Sequence, residues 1–180
     1  MFLEGMNAVS TEEVANMLIM IAAIGKNNEL GKENQLIWSF SKDMKFFREK
    51  TKNSIIVMGR KTFNSLPKIL PNRKHIVLSK EKTFNKELDE NVVVVEEKEQ
   101  LIAYCKELSF EQDVFVIGGA SIYATFLPIA DRMYLTQIED EEKTADVYFP
   151  EICESEWNKQ ILETDEENEI KFAFVQYDRK

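Results

Sequence analysis

Cysteine, histidine, glycine and proline are all scarce in this chain, and each shortage removes a class of explanation. Two cysteines, Cys105 and Cys153, lie far apart in 180 residues and offer neither a disulfide framework nor the spacing of a zinc site. A single histidine, His75, cannot build a multi-histidine metal cluster, so a reduced, metal-free, cytoplasmic protein is expected. Six glycines and four prolines set aside collagen-like and low-complexity readings. Positive charge is short as well: 23 Lys and Arg face 32 Asp and Glu, a formal net charge of −9. Nucleic-acid binding needs a basic face for the phosphates and is not expected, while a small anionic ligand on a local cluster of cations stays open. The longest apolar run, Met17 to Ile24, is far below the ~20 residues that span a bilayer. No basic stretch precedes it, so neither a membrane span nor a signal peptide is expected.

What is present is ordinary for a globular protein: 44% hydrophobic residues, enough at this length for one domain with a sizeable core. Residues 1–16 (MFLEGMNAVSTEEVAN) carry no strand signal and read as a non-catalytic N-terminal extension, with the folded domain over 17–180. From there, short apolar runs alternate with segments of helical pattern. Strands are predicted at Leu18–Ile24, Ser54–Met58, His75–Ser79, Asn91–Val95, Asp113–Ile117 and Arg132–Ile138. Helices are predicted at Ser41–Thr51, Arg60–Leu66, Lys98–Glu107 and Ser121–Phe126. That alternation implies βαβ units and a largely parallel sheet. The last part differs: Trp157–Glu163 and Ile170–Asp178 flank an acidic, turn-like Thr164–Glu169, which predicts a long antiparallel hairpin. The fold class is therefore α/β, a single domain with a mixed, mostly parallel central sheet flanked by helices and closed by a C-terminal antiparallel hairpin.

Four segments carry candidate chemistry. In IAAIGKNNELGKENQLIWSFSKDMKFFR, residues 21–48, Ser41 has the side chain of an N-cap and puts Asp43 in the first helical turn, on the face of Phe47. An acid on an apolar face needs a partner, because an unpaired buried charge costs several kcal/mol. A cationic or amidine-like ligand would serve; the helix dipole is the alternative explanation. In IVMGRKT, a strand ends at Gly59 and a helix opens with Arg60, Lys61 and Thr62, a setting for phosphate that Ser79 and Lys80 would complete. In FVIGGASIY, an apolar strand runs into Gly118-Gly119, where backbone can approach a pyrophosphate, although the pattern is not a dinucleotide fingerprint. In LPNRK, Arg73 suits a bidentate carboxylate contact, or simply a solvated turn.

Taken in order, MIAAIGKNNELGKENQLIW, the acid of FSKDMKFFR, IIVMGRKTFNSL, LPNRKHIVLS, VFVIGGASIYATFLP, MYLTQI and DVYFP resemble dihydrofolate reductase of the bacterial, chromosomal type. The resemblance covers about residues 17–179. It implies that NADPH delivers hydride to C6 of dihydrofolate while N5 gains a proton. Asp43 then matches the carboxylate that holds the 2-amino and N3 side of the pterin, with Thr136 supporting it from behind. The resemblance also implies binding of diaminopyrimidine antifolates, which pair with that acid. Ile21, Met44, Phe47, Leu66, Leu70 and Ile117 match the apolar walls, and Arg73 the residue that grips the glutamate α-carboxylate. Trp38 and the loop Asn28–Leu36, with Leu30, Gly31 and Asn34, match the loop that closes over the nicotinamide.

Ala23 and Ile24 match the lining of the nicotinamide site, with Tyr123 nearby. Gly59, Arg60, Lys61, Thr62, Leu78, Ser79 and Lys80 match the part that holds the adenosine phosphates. Ile117 leads into Gly118, Gly119, Ala120, Ser121 and Ile122, which match the pyrophosphate turn. Four positions depart from the common pattern. Ile37 replaces a proline before the tryptophan, Ala120-Ser121 replaces a frequent Gly-Arg, and Lys68 stands where an arginine is sometimes found. His75 reads as a strand residue without a role, and a monomer is the usual state of the family. Two rivals remain. A pteridine- or pyrimidine-reducing relative of the same fold, such as the reductase of riboflavin synthesis, needs no benzoylglutamate groove and so has no need of Asp43 with Phe47 and Arg73. A non-catalytic folate-binding protein has no need of the set Trp38, Asp43, Gly118 and Gly119.

Overall fold

The computed structural model describes residues 16–180, so the expected extension lies, apart from Asn16, outside the described residues. Eight strands form one sheet: β1 (Leu18–Ile24), β4 (Ile55–Gly59), β5 (Lys74–Leu78), β6 (Val92–Val95), β7 (Val114–Gly118), β8 (Arg132–Ile138), β10 (Trp157–Glu167) and β11 (Ile170–Arg179). Their order across the sheet is β10-β11-β8-β1-β7-β4-β5-β6. From β8 to β6 all neighbours are parallel, and β11 runs antiparallel between β8 and β10. Four helices connect them: α1 (Ser41–Thr51), α2 (Arg60–Ser65), α3 (Lys98–Leu108) and α4 (Ala120–Phe126). The mixed, mostly parallel α/β sheet with its closing hairpin is the architecture expected from the alternation of apolar runs.

The core explains why those runs are continuous. Parallel strands are covered on both faces, so both side-chain parities must be apolar. In β4, Ile55 and Val57 join one buried cluster with Met20, Val116 and Leu135. Ile56 and Met58 join the opposite one with Ile19, Ile21, Phe63 and Phe115. Full burial of such side chains contributes roughly 1.5–3 kcal/mol each. The second cluster matters for function, because Phe46, Phe47, Leu66, Leu70 and Ile117 are partly buried against it.

Two expectations are corrected. The acidic segment at 164–169 is mostly strand: β10 continues to Glu167, and only Asn168 and Glu169 turn the chain, with φ of 52° and 64°. A two-residue turn with both φ positive matches the twist of a hairpin, and the acids before it are strand residues, Glu163 and Glu166 exposed and Asp165 and Glu167 half-buried. The loop at Asn28–Leu36 also contains strands, β2 (Glu29–Lys32) and β3 (Gln35–Leu36), which form a small sheet with β9 (Val147–Tyr148). Strands this short leave no readable period.

Candidate active site

Helix α1 crosses the face of the sheet that bears Ile21 and Ile117, and Asp43 sits in its first turn. The Thr136 hydroxyl, on β8, donates to Asp43 Oδ1 at 2.6 Å. Burial raises the Asp43 pKa above the ordinary carboxylate value, with the Thr136 bond acting against the rise and the Glu167 charge adding to it. Thr136 pairs with Ala23 across the parallel ladder, which places the acid over the carboxyl-terminal half of β1. Aromatic rings wall this corner: Phe46 stacks on Phe174 at 4.3 Å and meets Tyr134 edge-on at 5.9 Å. The cap differs from expectation. The N-cap residue is Phe40, and Ser41 is the first helical residue, with its hydroxyl turned to Glu167.

At the other end of α1, Arg73 is 8% exposed and tied down on three sides. Its Nε donates to Thr51 Oγ1 (3.0 Å), Nη1 to the Pro71 carbonyl (2.8 Å) and Nη2 to the Arg48 carbonyl (3.1 Å). A guanidinium has five N–H bonds, so one on each Nη is left for a ligand, in the fork geometry that fits a carboxylate. Burial, helped by Arg48, holds its pKa below the usual value, and an arginine remains charged regardless. His75 organises the same turn. Its Nε2 accepts the Leu70 N–H at 3.1 Å while Nδ1 lies 3.1 Å from the Arg73 carbonyl, and burial lowers its pKa. It is thus a neutral structural residue that shapes the turn carrying Leu70 and Arg73.

The carboxyl ends of β4, β5 and β7 bring a second group together, where open α/β sheets bind ligands. Register pairs Gly59 with Leu78 and Met58 with Gly118. The Gly118–Gly119 peptide is cis, and Gly118 has φ +123°, a conformation open only to glycine. A Cβ there would lie 3.3 Å from the Tyr123 ring. The Tyr123 hydroxyl donates to the Ile21 carbonyl at 2.6 Å, tying α4 to β1; its phenol is pushed well above the usual range by burial and then by Asp43. Arg60 reaches the Thr83 carbonyl (2.9 Å) and Glu81 (3.1 Å) through Nη2. Its buried Nε has no hydrogen-bond partner among the described residues.

Trp38 packs beside Phe40, Phe172 and Phe174 and donates its indole N–H to Asp140 at 3.0 Å. The loop before it is held by acceptors from the segment after β8. Asp146 accepts the Glu33 N–H at 2.9 Å. Glu29, only 1% exposed, accepts backbone N–H groups from Asn27 and Glu142.

The family model for dihydrofolate reductase matches residues 17–179. The chain belongs to the dihydrofolate reductase family. The dihydrofolate reductase of Bacillus subtilis (strain 168) is 36% identical over 91% of this chain and 95% of its own length. That of Staphylococcus haemolyticus is 32% identical over 89% and 94%, and that of Haemophilus influenzae 34% over 89% and 98%. This chain is accordingly an oxidoreductase, a dihydrofolate reductase family enzyme of tetrahydrofolate biosynthesis. Among the described residues, no helix is long and apolar enough to cross a membrane.

Within this dihydrofolate reductase fold, the residues singled out by sequence fall on one side of the sheet or at its carboxyl edge. Met44 is 51% exposed and stands on the rim rather than in the wall. Lys61, Lys80, Ser121 and Asn34 are exposed, and the Ser79 hydroxyl is engaged by the Glu81 carbonyl at 2.6 Å. Sequence reasoning missed Phe46, Glu29, Glu81, Asp140 and Glu167. Phe46 shares the helix face of Asp43 at three-residue spacing, a legible signal; the acids, apart from the Glu29 contact with Asn27, act across 21 to 126 residues of chain and leave no local signal. The two glycines are separable by mutation. Gly118→Ala is expected to cost about 1–3 kcal/mol from its φ alone. Gly119→Ala, at φ −83° with its nearest neighbour at 3.6 Å, should cost less, as read by denaturant unfolding of both.

Proposed function

We propose that this enzyme reduces 7,8-dihydrofolate to 5,6,7,8-tetrahydrofolate with NADPH, hydride going to C6 and a proton to N5. The observation that carries the reading is the polarity of helix α1. A desolvated acid sits in its first turn, and an arginine with two free N–H bonds is fixed against its last, about 12 Å along the axis. A ligand with an amidine edge at one end and a carboxylate at the other matches that layout. The 2-amino and N3 groups of the pterin would donate to Asp43, the glutamate α-carboxylate would take the Arg73 fork, and Ile21, Phe47, Leu66, Leu70 and Ile117 would line the space between.

The residues at the sheet edge fit a dinucleotide phosphate cofactor. Arg60 has a buried Nε still to be satisfied, and Gly119, half-buried at the start of α4, presents backbone without a Cβ beside Thr62. Arg60, with Thr62, Lys61 and Lys80, would hold the adenosine phosphates, and Ala120, Ser121 and Ile122 the pyrophosphate. Once bound, NADPH supplies the hydride. The chain itself supplies position and field. Asp43 fixes the ring and, as an anion in a desolvated corner, favours the positive charge that develops when N5 is protonated. Thr136 orients that carboxylate, and Trp38 with residues 28–36 covers the ring and excludes water. The same reading has the enzyme act as a cytoplasmic monomer and bind diaminopyrimidine antifolates through Asp43.

Loss of NADPH absorbance on adding dihydrofolate tests this directly: turnover is expected, and its absence in the folded protein would sink the reading. Cofactor choice offers a second measurement. Glu81, 69% exposed at its side chain, competes for the Arg60 guanidinium. Glu81→Gln should lower the KM for NADPH about two- to fivefold, in line with a solvent-exposed ion pair, and lower the KM for NADH, which has one phosphate fewer, by less.

A further inference from the structure

We propose that Glu167, at the tip of the terminal hairpin, is a positioning residue for Asp43: it caps helix α1 from a distant part of the chain and keeps a second carboxylate beside the first. The inference rests on the function proposed for Asp43 and goes one step behind it. A helix begins with backbone N–H groups that have no intrahelical acceptor. Here the first intrahelical bond is Met44 N–H to the Phe40 carbonyl, at 3.0 Å, which leaves Ser41, Lys42 and Asp43 as orphan donors. Phe40 occupies the N-cap position and has no side-chain acceptor. Glu167 satisfies the first two of them. Its Oε2 accepts Ser41 N–H at 2.8 Å, and its Oε1 accepts the Ser41 hydroxyl at 2.7 Å and Lys42 N–H at 3.2 Å.

The cap is anchored on both sides. Lys42 Nζ donates to Asp165 at 2.6 Å and to the Glu166 carbonyl at 3.2 Å. Beneath it, Phe40 stacks on Phe172 at 5.0 Å and Phe46 on Phe174 at 4.3 Å. The turn at Asn168-Glu169 makes Glu167 the last residue of its strand and aims it at the helix. The hairpin tip therefore fixes the rotation of the turn that presents Asp43.

The charge has a separate effect. Asp43 meets the Thr136 hydroxyl on β8 and lies within the electrostatic reach of Tyr123 on α4 and of Glu167 on the hairpin, while Asp165 and Glu163 act on the neighbouring Lys42. Lys42 is paired with Asp165 and also drawn to Glu167; Glu167 is the carboxylate that acts on Asp43, and it favours the protonated acid. Hydrogen bonds from Ser41 hold the Glu167 pKa low, so it stays ionised across the working range. The same field favours a protonated ring bound at Asp43.

The test compares E167Q, E167A and E167D in the full chain. Glutamine keeps one acceptor and loses the charge, alanine loses both, and aspartate keeps the charge. Carbon NMR of the Asp43 carboxyl without ligand should show its titration midpoint lowered in E167Q and returned toward wild type in E167D. Turnover of dihydrofolate with NADPH should fall about two- to fivefold in E167Q above neutral pH, more in E167A, and converge with wild type at acid pH. An unmoved Asp43 midpoint in E167Q, or a rate deficit equal at every pH, would overturn the proposal. Wild-type protein that fails to turn over dihydrofolate would overturn the function instead, and the NMR titration would still decide the role of Glu167.

Discussion

Asp43→Asn is expected to lower kcat for dihydrofolate by about 10²–10⁴-fold near neutral pH, the range set by loss of a preorganised charge and of assisted proton transfer. Asparagine keeps the shape, and its carbonyl still accepts from the Thr136 hydroxyl, which bonds Asp43 at 2.6 Å in the parent. What it cannot do is oppose positive charge on the pterin. The deficit should therefore shrink as pH falls, because bulk protons then protonate more of the substrate without help. Spectrophotometric kcat from pH 5 to pH 9 for both proteins reads this, and a variant with wild-type turnover at pH 7 would remove Asp43 from its assigned role.

The same substitution should stabilise the ligand-free protein. Burial raises the folded-state pKa of Asp43 above its unfolded value, close to 3.9. Such a group favours folding fully below the unfolded pKa and loses that contribution as pH rises through the folded pKa. At pH 7 the ionised acid opposes folding, and asparagine does not. The Tm of Asp43→Asn should lie above wild type at neutral pH and approach it toward pH 3. A more stable and nearly inactive variant would mark Asp43 as a residue kept for chemistry rather than for the fold.

How much of this was legible differs from element to element, and the differences have physical causes. Leu18–Ile24 and Arg132–Ile138 coincide with β1 and β8, because central parallel strands are apolar on both faces and end where the apolar run ends. The hairpin was shortened, because β10 is exposed along most of its length and its acids look like a turn. Ser41 looked like a cap, since only local acceptors are visible in sequence, whereas the actual cap comes from Glu167, 126 residues away. Asp43, Thr136 and Arg73 stand out only within an ordered set of motifs, not through any one of them. Glu29 was not found at all. Two backbone N–H groups from separate loops satisfy its buried carboxylate, and no pattern of neighbours announces that.

Arg73→Lys should act at the opposite end of helix α1 and in a different kinetic parameter. The guanidinium spends three N–H bonds on Thr51, Pro71 and Arg48, which leaves one on each Nη for a ligand. An ammonium has three donors and no fixed plane, so it cannot hold those three acceptors and still grip a carboxylate with two parallel bonds. Charged hydrogen bonds contribute about 1.5–3 kcal/mol, which predicts a KM for dihydrofolate raised about 10- to 100-fold with kcat much less affected. Partial loss of the interior contacts will also lower stability, so KM alone would not isolate the carboxylate contact. A reduced pterin that lacks the glutamate tail does isolate it. With that substrate, wild type and Arg73→Lys should share the same kcat/KM, because no carboxylate remains for the two spare N–H bonds. An equal loss on both substrates would show that Arg73 acts only through the fold, and the carboxylate end of the proposed site would have to be sought elsewhere.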